Sequence, residues 1–184
     1  MIRNASITLI LIMALTSAQA ACESYDVASN SMLPVLKKGQ SVTCARSSAK
    51  TAQPGDIIVY RHPKLDSTHV KTVIGLAGDT VEMRGGKLYI NAHAVETRSA
   101  GEFKSDDMPG VEALRSEETL PNGVKILVLD TGQANPMDNT PAFTVEPGHV
   151  FVLGNNRDMS IDSRDKGHGL VPASNIVCTA ASPS

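Results

Sequence analysis

Short apolar runs, separated by turn residues, dominate the chain after its first twenty residues. Residues 57–60 and 150–153 are continuous apolar runs with the length of a strand that is covered on both faces. Shorter runs rich in Val, Ile and Thr predict further strands at residues 41–44, 80–83, 88–90, 124–129 and 175–178. The chain also holds 14 glycines and 10 prolines, which punctuate these runs where hairpin turns are needed. The pattern therefore predicts an all-β fold.

A length of 184 residues suits one domain with a core of its own and one excursion from it. We divide the chain into an N-terminal segment (1–21), a first part of the core (22–91), an inserted region (92–144) and a second part of the core (145–184). The inserted region is polar and bears several prolines. We expect a loop at residues 102–110 within it, and we expect the region to form a small β cap away from the chemistry.

The N-terminal segment has the layout of a secretory signal peptide: a positive charge at Arg3, an apolar stretch at 7–15, and an Ala-x-Ala pattern ending at Ala20. A membrane-spanning helix needs roughly 20 apolar residues, so this stretch is short for an anchor. Three alternatives remain: cleavage after Ala20, an uncleaved single span, or a buried helix of a soluble protein. Either of the first two sends the rest of the chain out of the cytoplasm.

The net charge and its distribution argue against nucleic-acid binding. The formal net charge is -2 and the basic residues are scattered, so the chain lacks the electrostatic footprint of a nucleic-acid-binding protein.

In an oxidising compartment, the three cysteines can form one disulfide. A Cys22–Cys44 bridge would staple the segment around Ser31; a Cys44–Cys178 bridge and free buried thiols are the alternatives.

The strongest chemical signal is a serine turn followed 40 residues later by a lysine in an apolar strand. In the turn, Ser29-Asn30-Ser31 is followed by a proline at position 34, which disfavours helix for Leu33 and predicts a bent segment that presents the Ser31 Oγ outward. Serine attacks a carbonyl only when a base takes its proton. Lys71 lies in the apolar stretch 69–81, where a lysine either snorkels to solvent or is buried. Burial that lowers its pKa from about 10.4 to between about 7 and 8 would require roughly 3.5 to 4.5 kcal/mol and would make it a general base.

Five ordered blocks of the sequence resemble the bacterial type I signal peptidases. The blocks are residues 29–34 (Ser-Asn-Ser-Met-Leu-Pro), 54–59 (Pro-Gly-Asp-Ile-Ile-Val), 70–91, 118–123 with 138–141, and 147–164, where the run Gly-Asn-Asn-Arg-Asp-Met-Ser-Ile-Asp-Ser-Arg begins at residue 154. The resemblance covers about residues 24–180. It implies a membrane-facing serine endopeptidase with a Ser-Lys dyad and a β-rich, signal-peptidase-like core. The five histidines show no H-E-x-x-H motif and no Cys/His pairing, so we expect no metal, and we expect no cofactor.

The resemblance also assigns roles to individual residues. Ser31 matches the nucleophile and Lys71 the general base. Ser29 matches the hydroxyl that forms the oxyanion hole with the Ser31 N–H, and Ser160 matches a hydroxyl that orients the lysine. Arg157, Asp158, Asp162 and Arg164 match a charge network that supports the site.

The implied reaction is removal of signal peptides from exported precursors, with cleavage after a small residue in an Ala-x-Ala pattern. Val35, Ile57 and Ile74 are our expected lining for the small-residue pockets. The expected partners are precursor polypeptides and the membrane surface or inner membrane, the expected location is the periplasmic side of that membrane, and we expect a monomer.

Other interpretations remain open. Ser31, His69 and Asp158 could build a Ser-His-Asp hydrolase, although no Gly-x-Ser-x-Gly elbow is present. The short link at residues 45–53 and the short N-terminal apolar stretch fit a specialised processing peptidase of a secretion or conjugation system. Departures from the family pattern fit a non-catalytic exported β-module. These departures are Asn155 for Asp, Met159 for Asn, Thr72 for Arg and Ala77 for Pro.

Overall fold

The computed structural model describes residues 22–45 and 52–180. Within these two ranges the strands are β1 (Cys22–Asp26), β2 (Ser41–Ala45), β3 (Ile57–Arg61), β4 (Thr68–Leu76), β5 (Thr80–Arg84), β6 (Lys87–Ile90), β7 (His93–Ala94), β8 (Glu96–Phe103), β9 (Ala113–Thr119), β10 (Lys125–Asp130), β11 (Phe143–Thr144), β12 (His149–Leu153), β13 (Val171–Pro172) and β14 (Ile176–Ala180). One-turn 3-10 helices cover Asn30–Met32, Pro136–Asp138 and Ala173–Asn175. The all-β prediction is confirmed.

The strands form three antiparallel sheets. A seven-stranded sheet has the order β1-β2-β14-β3-β4-β12-β13, a four-stranded sheet the order β11-β5-β6-β7, and a three-stranded sheet the order β10-β9-β8. Both faces of the central strands β3, β4 and β12 are covered, which is why their sequences are apolar without strict alternation. Lys71 lies on β4, near the middle of the large sheet, opposite Ile58 on β3.

The predicted strands at 41–44, 57–60, 80–83, 88–90, 124–129, 150–153 and 175–178 are all present, with ends that differ by a residue or two. Strands β8 and β9, which make up most of the three-stranded sheet, were not predicted. Most residues of β8 are exposed, so its sequence lacks the apolar alternation that indicates a strand. This hairpin is held by cross-strand pairing and by the few side chains of β9 that it helps to bury.

The core is divided into clusters, one of which joins the inserted region to the serine turn. Leu33, directly after that turn, is fully buried with Met108, Ala113 and Leu129 of the inserted region. The side chain of Asn30 also donates a hydrogen bond to the Asp107 carbonyl at 2.7 Å. The expectation that the inserted region lies away from the chemistry is therefore wrong.

Cys178 on β14 is disulfide-bonded. Because three cysteines can form only one bridge within the chain, a bond at Cys178 excludes the predicted Cys22–Cys44 pairing. The side chains of Cys22 and Cys44 lie outside the part of the chain whose side chains are described, and so does the whole segment 1–21 for which a signal peptide or anchor was predicted. Across the described ranges, no helix has both the length and the apolar character that a membrane crossing requires.

Candidate active site

Ser31 lies in the one-turn helix Asn30–Met32, which follows directly from the extended residue Ser29. The neighbouring Met32 and Leu33 are fully buried, and their packing in the core anchors the turn. Ser31 itself is only 6% exposed. The turn is held as predicted, but its hydroxyl faces a cleft instead of open solvent.

Lys71 reaches this hydroxyl from the neighbouring sheet. Its Nζ lies 2.7 Å from the Ser31 Oγ, and the lysine is only 4% exposed. The structure thus brings together the two residues that the sequence proposed as base and nucleophile, 40 positions apart. A base must lie within hydrogen-bonding reach of the proton that it takes, and this pair meets the requirement.

Burial lowers the pKa of Lys71 from 10.5 to about 8. The nearby Arg164 guanidinium contributes in the same direction, whereas the Asp162 carboxylate opposes it by favouring the ammonium. A sizeable fraction of Lys71 is therefore in the neutral amine form slightly above neutral pH. At a pKa near 8, a lysine combines a sizeable neutral fraction with the basicity needed to take a serine proton.

Ser29 lies beside the same hydroxyl. Its Oγ donates a hydrogen bond to the Ser31 Oγ at 3.1 Å and accepts one from the Ser31 backbone N–H at 3.4 Å. A carbonyl oxygen placed between these two donors would receive hydrogen bonds from the Ser31 N–H and the Ser29 O–H. The arrangement can therefore form an oxyanion hole once the N–H releases the Ser29 Oγ.

Residues 154–164, the supporting loop, pack against the back of the serine turn. The Asn156 N–H donates to the Ser31 carbonyl at 3.0 Å, and the Asn156 side chain donates to the Asn30 carbonyl at 3.3 Å. Gly154 lies so close to the turn that an added Cβ would be 2.6 Å from the Ser31 carbonyl oxygen and would also overlap the Ser160 side chain. The backbone position of Ser31 is therefore set partly by this loop.

The charges of the supporting loop do not form the single network that the sequence suggested. Asp162 and Arg164 form a fully buried pair, with both carboxylate oxygens 2.9 Å from the guanidinium. Burial would raise the pKa of Asp162, but the hydrogen bonds and charge of Arg164 prevail and hold it below its usual range. Asp158 instead accepts hydrogen bonds from the N–H and hydroxyl of Thr131, both at 2.7 Å.

Arg157 pairs with a residue that the sequence reasoning missed. Its two terminal nitrogens lie 2.9 and 2.6 Å from the carboxylate oxygens of Glu118 on β9, and both side chains are about 5% exposed. Glu118 opens one of the blocks that resemble the family. Because β9 was not predicted, the sequence held no sign that this charged residue lies at an inward position of a strand.

Ser160 lies in the supporting loop but does not form the expected hydrogen bond to Lys71. Its Oγ is buried beside Gly154 but makes no hydrogen bond of normal geometry, so the predicted orienting bond to Lys71 is not formed. It lies near enough to Asp162 to help keep that carboxylate's pKa low. Its role toward the lysine stays a prediction.

Two departures from the family pattern contact each other. The Thr72 hydroxyl donates to the Asn155 side-chain oxygen at 2.6 Å, and the Asn155 amide nitrogen donates to the Leu127 carbonyl on β10 at 2.6 Å. A neutral hydrogen bond thus occupies the place where the family pattern has two opposite charges. Because both partners are uncharged, neither leaves an unpaired charge beside Lys71.

Among the described residues, three histidines come together with spacing suited to a metal ion. The ligand atoms of His62, His69 and His168 lie within 4.8 Å of one another. His168 donates from Nδ1 to the Gly169 carbonyl, which leaves Nε2 as an acceptor for Tyr60 at 2.7 Å.

His62 fits a metal poorly. Its Nδ1 accepts the backbone N–H groups of Lys64 and Leu65 at 3.1 and 3.0 Å, so its proton resides on Nε2 and no free lone pair remains. Binding an ion there would break both backbone bonds. We interpret the cluster as a hydrogen-bonded support, and the expectation of a metal-free site stays a prediction.

The alternative of a Ser-His-Asp triad is not supported by these contacts. The partners of the Ser31 hydroxyl are Lys71 and Ser29, and Asp158 is bound to Thr131 and Asn135. Burial and the neighbouring Lys71 lower the pKa of His69 to about 4, which makes it a weak base.

Fold and site together define a class of β-sheet protein in which a buried lysine is hydrogen-bonded to the hydroxyl of a serine held in a tight turn. The family model described as signal peptidase, peptidase S26, matches residues 2–184, and the chain belongs to that family. The resemblance recognised from the five sequence blocks is confirmed.

Individual relatives are similar over most of this chain. Signal peptidase I of Rickettsia bellii (strain OSU 85-389) is 37% identical over 142 residues, which cover 73% of this chain and 48% of that protein. Signal peptidase I of Rickettsia akari is 32% identical over 164 residues, which cover 85% of this chain and 58% of that protein. The chain thus spans about half the length of the curated relatives it matches. A crystal structure of a signal peptidase I from Enterococcus faecalis V583 aligns with a TM-score of 0.44 at 26% identity, over 72% of this chain and 98% of that one.

Proposed function

We propose that this protein is a serine endopeptidase that removes signal peptides from exported precursors, with Ser31 as nucleophile and Lys71 as general base. The observation that carries the proposal is the 2.7 Å contact between the Lys71 Nζ and the Ser31 Oγ, made by two side chains that are almost fully buried. Membership of the signal peptidase family supports the kind of substrate. The interpretation as an inactive module loses support because the nucleophile, the base and the Ser29 hydroxyl are all present and in contact.

The reaction follows from the contacts. The neutral Lys71 amine takes the proton of the Ser31 hydroxyl while Oγ attacks the carbonyl carbon of the substrate. The developing oxyanion accepts hydrogen bonds from the Ser31 N–H and the Ser29 hydroxyl. The Lys71 ammonium then gives its proton to the nitrogen of the departing amine. The neutral Lys71 side chain next takes a proton from the water that hydrolyses the acyl-enzyme.

The cleft beside the dyad is suited to a short extended segment with small side chains. Its volume is about 220 Å³, and its lining comes from the strand end before Ser31 and from β4: Asp26, Val27, Ala28, Ser29, Ser31, Met32, Thr68, His69, Val70 and Lys71. The apolar walls of Val27, Met32 and Val70 favour a small apolar residue such as alanine next to the scissile bond. Val35, Ile57 and Ile74, the lining that we expected from the sequence, are not among the residues that line this cleft.

We assign the protein to the periplasmic side of the bacterial inner membrane, where precursors with signal peptides emerge. The signal-peptide-like pattern of residues 1–21 and the disulfide at Cys178 both support an exported location. The proposed partners are therefore precursor polypeptides at a membrane surface.

The test compares Ser31→Ala and Lys71→Ala with the wild-type protein on a precursor that carries an Ala-x-Ala cleavage site. We expect both variants to lose cleavage while their circular dichroism spectra stay native. Ser174→Ala and Lys87→Ala, at exposed positions away from the cleft, are the matched controls and should cleave at the wild-type rate. Sustained cleavage by either dyad variant would refute the assignment.

A further inference from the structure

The Glu118–Arg157 pair ties the three-stranded sheet of the inserted region to the supporting loop. Glu118 lies on β9 and binds both terminal nitrogens of the Arg157 guanidinium at 2.9 and 2.6 Å. The remaining nitrogen, Nε, is buried without a partner. The carboxylate of Glu118 is thus the group that holds this buried guanidinium in place. It balances the positive charge, and its bidentate contact fixes the orientation of the guanidinium.

The backbone around Arg157 reaches the nucleophile on one side. Asn156, the preceding residue, donates its N–H to the Ser31 carbonyl at 3.0 Å. The Arg157 N–H donates to the Leu129 carbonyl on β10 at 3.0 Å, and Leu129 forms a parallel bridge with Asn156. Any shift of the Arg157 backbone therefore moves the contact that sets the position of Ser31.

On the other side, the same backbone reaches the charges beside the lysine. The Arg157 carbonyl accepts a hydrogen bond from the Arg164 guanidinium at 2.7 Å. Arg164 in turn holds Asp162, whose carboxylate accepts the Gly154 N–H at 3.0 Å. Asp162 and Arg164 are charged groups that act on the Lys71 amine, and the titratable His69 and His168 also interact with it electrostatically.

We propose that Glu118 is a positioning residue for the Ser31–Lys71 dyad, acting through Arg157. Without its carboxylate, the Arg157 guanidinium would be a buried charge with no counter-ion and would turn toward water. That movement would displace the backbone that contacts both Ser31 and Arg164. The inserted region therefore acts as a brace for the catalytic geometry, an inference that rests on the proposed function.

The experiment uses Glu118→Gln in the full chain, with Glu117→Gln as its matched control. Glu117 is the preceding residue of β9, and its substitution removes the same charge, but Glu117 pairs with Lys125 at a more exposed site. Precursor cleavage is measured from pH 6 to 9 below the melting temperature of each variant, and rates are normalised to the folded fraction.

We expect Glu118→Gln to lower kcat about tenfold to a hundredfold, as small misplacements of reacting groups do, with KM changed less than about threefold. Its pH profile should shift upward, because a loosened loop admits water to the Lys71 amine. Glu117→Gln should match the wild type in kcat and profile. A purely structural role would lower the melting temperature and leave both kcat and the pH profile of the folded protein unchanged, and that result would overturn the proposal.

A second readout does not depend on cleavage. In protein labelled with ¹³C at the lysine ε-carbons, the Lys71 signal, assigned by its absence in Lys71→Ala, reports the pKa of that amine directly. We expect a higher pKa in Glu118→Gln than in the wild type, and equal values would overturn the proposal. If the wild-type protein cleaves no precursor, the proposed function fails while this comparison still decides whether Glu118 acts on the dyad.

A third variant covers a failure to fold. If Glu118→Gln does not fold, Glu118→Asp keeps the charge and shortens the side chain by one methylene. An intermediate loss of kcat with an upward shift of the pH profile would support the proposal, and wild-type values of both would overturn it.

Discussion

Replacement of Lys71 by methionine should stabilise the protein at neutral pH while abolishing its activity. A pKa held at about 8 in the folded protein, against 10.5 ordinarily, corresponds to about 3 kcal/mol at about 1.4 kcal/mol per pKa unit. Because the folded state binds the proton less tightly than the unfolded state, this penalty is fully present below pH 8. It declines as the pH rises toward 10.5 and is absent above that value.

Methionine retains an unbranched side chain of similar length and carries no charge. The variant loses the hydrogen bond to the Ser31 hydroxyl, which is worth about 1 kcal/mol. We therefore expect the free energy of unfolding at pH 7 to rise by about 2 kcal/mol relative to the wild type. Near pH 10.5 the gain should vanish or reverse.

Urea-induced unfolding at several pH values between 7 and 10.5 measures this difference directly. The comparison of variant and wild type cancels the titration of all other groups, and Lys87→Met, at an exposed site, controls for the general loss of a lysine. A stability difference between Lys71→Met and wild type that does not change with pH would refute the assignment of a depressed pKa to this amine.

Three further predictions concern the proposed reaction. The rate at saturating precursor should rise about tenfold from pH 7 to pH 9, since the neutral fraction of an amine with a pKa of about 8 rises from about one tenth to about nine tenths; a flat profile would exclude Lys71 as the base. Ser29→Ala should lower kcat about 10²- to 10³-fold with little change in KM, and an unchanged kcat would remove this hydroxyl from the oxyanion hole. Gly154→Ala should abolish cleavage and lower the melting temperature, because the new Cβ meets the Ser31 carbonyl and the Ser160 side chain; full activity would show that the supporting loop adapts.

The inserted region shows where local pattern fails as a guide. Its polar strands β8 and β9 were not foreseen, because the exposed residues of β8 carry no periodic signal. Burial of Glu118 against Arg157, 39 residues away in the chain, depends on how the three-stranded sheet docks onto the supporting loop. The cysteine pairing likewise depends on which strands become neighbours, and the structure places Cys178 in the bridge.

The sequence by itself determined the β class and most strand positions, and it singled out the serine and the lysine that the structure brings into contact, since these follow from apolar runs, turn residues and ordered family motifs. Only the tertiary structure decided that the Lys71 amine is buried and lies 2.7 Å from the Ser31 Oγ, and that Ser160 makes no hydrogen bond to it. The tertiary structure also decided that Arg157 pairs with Glu118 of the inserted region. The physical reason is that strand formation depends on neighbouring residues, whereas burial, pKa and ion pairing depend on segments that only the packed sheets bring together.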